Sequence, residues 1–212
     1  MERMICRECL QHMKQRSLPA CPSCGRFYYG EGDMHLCQDC QEKRPPFSVH
    51  RSCAEYRGLV KDVLLLYKFK KIKVFGECLS GYIFEILGED PVLWWGLEGI
   101  IPVPLHPSKK RERGFNQSEI IARKIAKKKE VPLLRNCLLK RSETLPQTSL
   151  ESIPRRTNVK GAFIVKDPKR IEDKILLLVD DVYTTGATLN ECSSVLIRAG
   201  AKEVRAITIA QA

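Results

Sequence analysis

The sequence predicts an α/β fold with a mostly parallel sheet, preceded by a small amino-terminal cysteine-rich module. After residue 45, segments typical of strands and helices alternate along the chain. Residues 175–179 form an uninterrupted apolar run, which suits a central strand covered on both faces. Before residue 45, three C-x-x-C pairs stand in a segment with little apolar sequence. We therefore predict two units, residues 1–44 and residues 45–212.

The composition excludes several classes of protein. The chain has 212 residues, of which 43% are hydrophobic, enough for a packed core. No apolar run approaches the roughly 20 residues of a membrane-spanning helix, and residues 1–10 lack the apolar stretch of a secretory signal. Six of the ten cysteines fall in the three close pairs, which favours a metal site in a reducing compartment over a disulfide scaffold. We expect a cytoplasmic protein without a membrane span.

The cysteine pairs predict a zinc site. They are formed by Cys6 and Cys9, by Cys21 and Cys24, and by Cys37 and Cys40. Two pairs complete one tetrahedral site, and the spacing alone allows the second pair to combine with either of the others. Gly25 gives the turn after the second pair its conformational freedom, and it favours the second and third pairs. The candidate zinc ligands are therefore Cys21, Cys24, Cys37 and Cys40.

The first part of the larger unit is predicted to contain one strand and two helices. Consecutive prolines at 45–46 favour an extended exit from the cysteine module. A strand is expected at 47–56, and helices at 60–69 and 76–87, because apolar residues recur there with a period near 3.6. The two tryptophans at 94–95 stand in a loop; such a pair could stack nucleobases, but burial at the edge of the domain is the preferred expectation.

A basic loop is predicted to follow the next strand, residues 99–104. The loop covers residues 105–114, and its basic residues are Lys109, Lys110, Arg111 and Arg113. Asn116 can cap the next helix, with Glu119 as its reciprocal partner. A loop between a strand and a helix lies on the ligand side of an α/β sheet. With a net charge of +11 for the chain, this loop suits a polyanion such as a pyrophosphate or a nucleic-acid backbone.

The last third of the domain is predicted to alternate again between strands and a helix. Residues 142–158 are polar and lack a clear period, which suggests a mobile hood over a ligand site. Strands are expected at 161–165 and 204–209. Between them, an apolar stripe at residues 189–199 predicts a helix that ends at Gly200.

The segment that follows the apolar run at 175–179 predicts a phosphate site. Asp180 and Asp181 come directly after the strand, at the end where open α/β sheets bind ligands. Residues 183–188, Y-T-T-G-A-T, then offer hydroxyl groups, a glycine and the free N–H groups of a starting helix. Such a loop can enclose a phosphate while the carboxylates bind sugar hydroxyls. A P-loop is excluded because the G-x-x-x-x-G-K-[ST] pattern is absent from the sequence.

This pattern resembles the phosphoribosyl-pyrophosphate (PRPP) motif of type I phosphoribosyltransferases. The resemblance predicts a sheet of phosphoribosyltransferase type. It also implies that PRPP is bound at Asp180, Asp181, Val182, Tyr183, Thr184, Thr185, Gly186, Ala187 and Thr188.

Four motifs in order resemble the ComF family, whose members join a zinc ribbon to a phosphoribosyltransferase-like domain. The motifs are C-P-S-C-G with L-C-Q-D-C, I-P-V-P-L-H-P-S-K-K-R-E-R-G-F-N-Q, T-L-P-Q-T with R-R-T-N-V-K-G-A-F, and L-L-L-V-D-D-V-Y-T-T-G-A-T. The resemblance covers residues 6–212. It implies zinc in the cysteine module, Mg²⁺-dependent PRPP binding, handling of incoming single-stranded DNA during natural transformation, and partners among other competence proteins. Relatives often carry four C-x-x-C pairs, so Cys6 and Cys9 are expected to be half of a truncated second site.

Two hypotheses about function follow. In a catalyst, a nucleophile would displace pyrophosphate from PRPP, with Asp180 and Asp181 on the ribose. Arg111 and Arg113 would counter the pyrophosphate beside Mg²⁺. Such an enzyme would serve nucleotide salvage or related metabolism, and the sequence does not identify its acceptor. In a binding protein, PRPP would instead control nucleic-acid handling without turnover, which the basic excess and the cysteine module favour.

Overall fold

The structure, a computed structural model, describes residues 13, 19–28, 34–70, 72–141 and 159–212. The strands in this part of the chain are β1 Val49–Glu55, β2 Gly99–Pro102, β3 Leu138–Lys140, β4 Phe163–Val165, β5 Ile175–Val179, β6 Val182–Tyr183 and β7 Glu203–Gln211. The helices are α1 Gln38–Glu42, α2 Gly58–Phe69, α3 Phe75–Leu87, α4 Pro91–Trp94, α5 Pro107–Arg113, α6 Gln117–Lys129 and α7 Ala187–Arg198, with a short 3₁₀ turn at Pro168–Arg170.

The main sheet is parallel, as predicted. Its strand order is β1–β7–β5–β2, and the short β6 pairs with the end of β7. Parallel neighbours require crossover connections, and the helices between the strands supply them. The α/β fold class predicted from the sequence is therefore confirmed.

Strand β5 lies in the middle of the sheet and is buried on both faces. Leu177 and Val179 belong to a core cluster that includes the inward faces of α2, α3 and α6. Leu176 and Leu178 belong to a second cluster, which includes α7, β3, β4 and the cysteines of the amino-terminal module. Successive residues of a strand point to opposite faces, so a strand covered twice needs apolar residues at every position. The run at 175–179 has this pattern.

Helix α2 buries the face that its sequence period predicted. Its buried residues are Val60, Val63, Leu64 and Tyr67. At the start of α6, the side chain of Asn116 accepts a hydrogen bond from the backbone N–H of Ser118 at 3.1 Å, so the predicted cap is confirmed. Glu119 does not reciprocate. Its carboxylate instead forms ion pairs with basic residues around it: Arg135 at 3.0 Å, Arg123 at 3.3 Å and Lys110 at 3.8 Å.

The prediction of a loop at 105–114 was wrong, because most of this segment forms the helix α5. His106 caps this helix, a proline stands in its first turn, and Gly114 ends it in the left-handed region at φ 78°. Proline at the first helical position and glycine after the last are strong helix boundaries. The residues between them, S-K-K-R-E-R, are mostly good helix formers.

Two further expectations need correction, and two fall outside the described residues. The strand predicted at 161–165 forms β4, but it pairs antiparallel with β3 in a separate two-stranded sheet. The tryptophan pair is not buried as a unit, since Trp94 is half-buried in α4 whereas Trp95 is 79% exposed. Residues 142–158, the predicted hood, and Cys6 and Cys9 lie outside the described residues.

Within the described ranges, no helix combines the length and the apolar character that crossing a membrane requires.

Candidate phosphoribosyl site and metal centre

The carboxyl ends of β2 and β5 adjoin at one edge of the sheet. Pro102 pairs with Val179, and the N–H of Val103 donates to the carbonyl of Val179 at 2.9 Å. The side-chain amide of Asn116 donates to the carbonyl of Val103 at 2.9 Å, which fixes the start of α6 at the same edge. The two polar segments predicted from separate parts of the sequence therefore meet.

Asp180 is the first residue after β5, and it is held by hydrogen bonds from α6 and from its own neighbour. Its Oδ1 accepts from the hydroxyl of Ser118 and from the N–H of Asp181, both at 2.9 Å. Burial raises the pKa of the Asp180 carboxyl to about 7, and the adjacent Asp181 carboxylate adds to the increase. A carboxyl group with a pKa near neutrality at a strand end is typical of a functional site.

Asp181 contacts a residue that the sequence did not single out. Lys68, near the end of α2, places its Nζ 3.0 Å from Asp181 Oδ2. The neighbouring Tyr67 donates its hydroxyl to the carbonyl of Gln117 at 3.0 Å, which ties α2 to the start of α6. Lys68 is one of several lysines in the segment Y-K-F-K-K-I-K, so no sequence signal distinguished it.

The predicted phosphate loop is shorter than expected. Val182 and Tyr183 form strand β6, Thr184 and Thr185 are exposed, and α7 begins at Ala187. Gly186 has a φ of 75°, and a Cβ at this position would overlap the hydroxyl of Tyr183. The first N–H groups of a helix have no partner within the helix, so this turn can receive an anion. The predicted residues are together, and their binding of PRPP stays a prediction.

Tyr183 links this turn to the cysteine module through His50 on β1. The two rings are stacked with their centroids 4.5 Å apart, and both side chains are buried. His50 Nδ1 lies 2.7 Å from the carbonyl of Cys24, and Nε2 lies 3.0 Å from the hydroxyl of Thr208. A carbonyl only accepts, so Nδ1 carries the proton and Nε2 is an acceptor, within reach of the hydroxyls of Thr208 and Ser52. Burial lowers the pKa of His50 to about 4, which keeps the ring neutral.

The second and third cysteine pairs form one cluster, as the preferred pairing predicted. The Sγ atoms of Cys21, Cys24, Cys37 and Cys40 all lie within 4.8 Å of one another, and all four residues are buried. Sulfurs bound to zinc at about 2.3 Å stand about 3.8 Å apart, so this donor set can hold a tetrahedral zinc ion.

Gly25 allows the tight turn after the second cysteine pair. The sequence predicted its conformational freedom, and the structure adds a close contact with β1. Its φ is 68°, and an added Cβ would lie 2.6 Å from the carbonyl oxygen of His50.

Burial pushes the pKa of the Cys21 thiol upward, but nearby N–H groups, led by that of Cys37, outweigh burial and lower it to about 6. A cysteine prepared as a thiolate is the form that binds a metal.

The cysteine module and the phosphate turn also share a cleft of about 640 Å³. Cys24, Cys40 and Arg44 contribute to one side, and Thr185 and Asn190 contribute to the other. The module therefore packs beside the candidate ligand site.

Arg111 and Arg113, predicted to counter a pyrophosphate, lie on α5 at the same edge of the sheet. Arg111 is exposed. The guanidinium carbon of Arg113 lies 5.6 Å from the centre of the Phe69 ring at the end of α2. Their role toward pyrophosphate stays a prediction.

Comparisons with known proteins agree with this architecture. Residues 113–212 match the family described as the phosphoribosyl transferase domain. The chain is 30% identical over 207 residues to Competence protein ComFC of Streptococcus pneumoniae, covering 97% of this chain and 86% of that protein. It is 28% identical over 214 residues to Competence protein F of Haemophilus influenzae, covering 98% and 90%. It is 29% identical over 188 residues to DNA utilization protein YhgH of Escherichia coli O157:H7, covering 87% and 81%.

The predicted resemblance is thereby confirmed. A chain that shares this identity over nearly its whole length, carries the phosphoribosyltransferase match and gathers four cysteines in one cluster belongs to the ComF family of competence proteins.

Proposed function

We propose that the protein binds PRPP at the carboxyl edge of its sheet and handles single-stranded DNA. The observation that carries the PRPP part is the placement of Asp180 and Asp181 beside the glycine turn that begins α7. The relatives named for competence and DNA utilization support the DNA part, as does the net charge of +11.

The residues suggest where each part of PRPP would bind. Its 5-phosphate would accept hydrogen bonds from the N–H groups of residues 184–188, aided by the partial positive charge of the α7 terminus. Its ribose hydroxyls would donate to Asp180 and Asp181. Its pyrophosphate would extend toward α5, where Arg111 and Arg113 offer positive charge.

Mg²⁺ fits this arrangement because it prefers oxygen ligands and is usually held by carboxylates together with substrate phosphates. When bound, it would neutralise part of the pyrophosphate charge. The four-cysteine cluster would hold a structural zinc ion that folds the small module. Its thiolates, and the free cysteines elsewhere in the described residues, suit the reducing cytoplasm.

Turnover is the alternative to binding alone. In a phosphoribosyl transfer, an acceptor nucleophile forms a bond to the anomeric carbon while the bond to the pyrophosphate oxygen breaks, and pyrophosphate leaves with the electron pair. Positive charge develops on the sugar, and the two carboxylates at the end of β5 would stabilise it. The match to the phosphoribosyl transferase domain keeps this candidate open, with an acceptor in nucleotide salvage or related metabolism.

Two measurements test the proposal. Calorimetric titration with PRPP, with and without Mg²⁺, should show saturable binding that ribose 5-phosphate reproduces more weakly. Release of pyrophosphate should then be screened with free bases, amines and single-stranded DNA as acceptors. Release with one acceptor establishes the enzyme, whereas PRPP binding without release establishes the binding protein. Absence of PRPP binding by zinc-loaded protein contradicts the site.

A further inference from the structure

The end of α2 carries an exposed aromatic ring next to the candidate PRPP site. Tyr67 is fully buried and bonded to the carbonyl of Gln117, and Lys68 reaches Asp181. Phe69, the next residue, is 61% exposed. An exposed aromatic ring at the edge of the candidate site offers a face on which another planar group can stack.

The surroundings of Phe69 are basic. The guanidinium of Arg113 lies 5.6 Å from the centre of its ring. Nearby, the ammonium of Lys73 lies 5.9 Å from the centre of the Phe115 ring, and Phe115 packs against Tyr67 with ring centres 5.4 Å apart. The end of α5 and the residues after it thus pack on the end of α2 and bring two cation–ring pairs side by side.

The positive charge of this surface is largely uncompensated. Lys70, Lys73, Arg111 and Arg113 form no ion pair with an acidic side chain in the described part of the chain. By contrast, the neighbouring Lys68 and Lys110 are paired, with Asp181 and Glu119. Leu66, one turn before Phe69 on the same face of α2, adds apolar surface and is 40% exposed.

We infer that this α2–α5 surface binds single-stranded nucleic acid by stacking a base on Phe69. The surface is formed by Leu66, Phe69, Lys70, Lys73 and Arg113, and Arg111 lies on the same helix as Arg113. Exposed aromatic rings that stack bases, combined with cations that track the phosphates, are the usual means of holding a single strand. A duplex hides the faces of its bases, so the ring favours a single strand over a duplex. The inference rests on the DNA part of the proposed function and gives it a location.

The location relates the strand to PRPP. Lys68 contacts Asp181 and Phe69 is the next residue, so the ring and the proposed ribose subsite both lie at the carboxyl end of α2. Because Arg111 and Arg113 are also proposed to counter the pyrophosphate, PRPP should compete with the strand at this edge of the sheet.

The experiment compares Phe69→Ala and Phe69→Trp with the wild type in binding a fluorescent oligothymidylate, measured by anisotropy. Stacking is worth about 1–3 kcal/mol per base, so Phe69→Ala should weaken the affinity about 5- to 150-fold. Phe69→Trp should preserve the affinity or increase it. Trp95→Ala is the matched control, because Trp95 is the more exposed ring at 79% and lies outside this surface. The Trp95→Ala variant should bind the oligothymidylate with the affinity of the wild type.

The dependence on salt separates stacking from charge. Phe69→Ala removes no phosphate contact, so its slope of log affinity against log salt should equal the wild-type slope. Lys73→Gln should lower the slope by about 0.7, the value for one contact to a single strand. Zinc content and melting temperature report whether each variant is folded.

The outcomes distinguish this inference from the proposed function. If the wild type binds the strand and Phe69→Ala binds it equally well, the stacking site is wrong and the proposed function is unaffected. If Phe69→Ala weakens duplex and single strand alike, recognition of base faces is wrong. If the folded wild type binds no strand at low salt, both the DNA function and its location are wrong.

Discussion

The carboxyl group of Asp180 makes the folded protein less stable as the pH rises. Its pKa is raised to about 7 by burial and by the adjacent Asp181 carboxylate. In the unfolded chain the same group has an ordinary carboxyl pKa near 4. The unfolded state therefore loses its proton first as the pH rises, and folding becomes less favourable between these two values. A ligand that donates hydrogen bonds to the carboxylate would offset this penalty.

Replacing Asp180 by Asn should therefore stabilise the protein without ligand, and more so at higher pH. We expect the free energy of unfolding in urea to increase by on the order of 2 kcal/mol at pH 8, with a clearly smaller increase at pH 5.5, where the folded carboxyl is largely protonated. PRPP affinity should fall in the same variant. Asp62→Asn, an exposed change on α2, is the control. An equal gain at both pH values contradicts the raised pKa.

Gly186 allows a second test at the scale of one residue. Gly186 and Gly161 both have positive φ, at 75° and 72°, so alanine strains the backbone similarly at each, by about 1–2 kcal/mol. They differ in surroundings: a Cβ on Gly186 meets the Tyr183 hydroxyl, and a Cβ on Gly161 meets nothing within 4 Å. Titration calorimetry should show PRPP binding lost in Gly186→Ala and retained in Gly161→Ala. Equal affinities in the two variants would place the phosphate elsewhere.

At the scale of elements, the cysteine module contributes to the main domain as well as to its own fold. Its four sulfurs belong to the same apolar cluster as Leu176 and Leu178 of β5. The carbonyl of Cys24 holds His50, and the His50 ring supports Tyr183 beside the phosphate turn. Loss of a metal from the cysteine cluster should therefore also disturb Tyr183 and the candidate phosphate turn.

Cys24→Ser should remove the metal and weaken PRPP binding together. A module this small cannot bury enough apolar surface to fold without a metal, and the loss of its turn releases His50. Elemental analysis should show about one zinc per wild-type chain and none in the variant. Cys53→Ala is the control, since Cys53 is buried on β1 outside the cluster and its loss should leave zinc in place. Full zinc content in Cys24→Ser would show that the ligand set is wrong.

At the scale of the whole molecule, the excess of positive charge is distributed over several surfaces. Arg111 and Arg113 lie on α5 at the ligand edge, whereas Lys127 and Lys128 lie in the last turn of α6. Both groups fall within residues 109–129 of the sequence, and the fold places them on different helices. Their contributions to binding a polyanion should differ accordingly.

Neutralising the α5 pair should reduce the salt dependence of single-strand binding. Arg111→Gln with Arg113→Gln removes two phosphate contacts, so the slope should fall by about 1.4, at about 0.7 per contact. Lys127→Gln with Lys128→Gln removes the same charge and should leave the slope unchanged. Anisotropy titrations at several salt concentrations measure both. If only the α6 pair changes the slope, DNA binds on the α6 face and not beside the PRPP site.

Much of the fold and site could be predicted because the deciding signals were local. A fully apolar strand, two carboxylates at its end and a glycine before a helix are each specified by residues that are neighbours in the sequence. The spacing of the cysteine pairs is equally local, since two residues between thiolates suit one tetrahedral ion. The prediction of a loop at 105–114 was wrong although its signals were also local. Pro107 in the first turn and Gly114 after the last residue mark the ends of a helix, and the basic charge between them does not prevent one.

By itself, then, the sequence determined the class of sheet, the edge that carries the candidate ligand site and the four cysteines that form one cluster, because each depends on residues close together in the chain. Only the tertiary structure decided which distant residues complete the site. Ser118, Lys68 and His50 lie on three different elements and reach Asp180, Asp181 and Tyr183 through packing. No period or spacing encodes such contacts, because they exist only after the helices and strands have been assembled around one core.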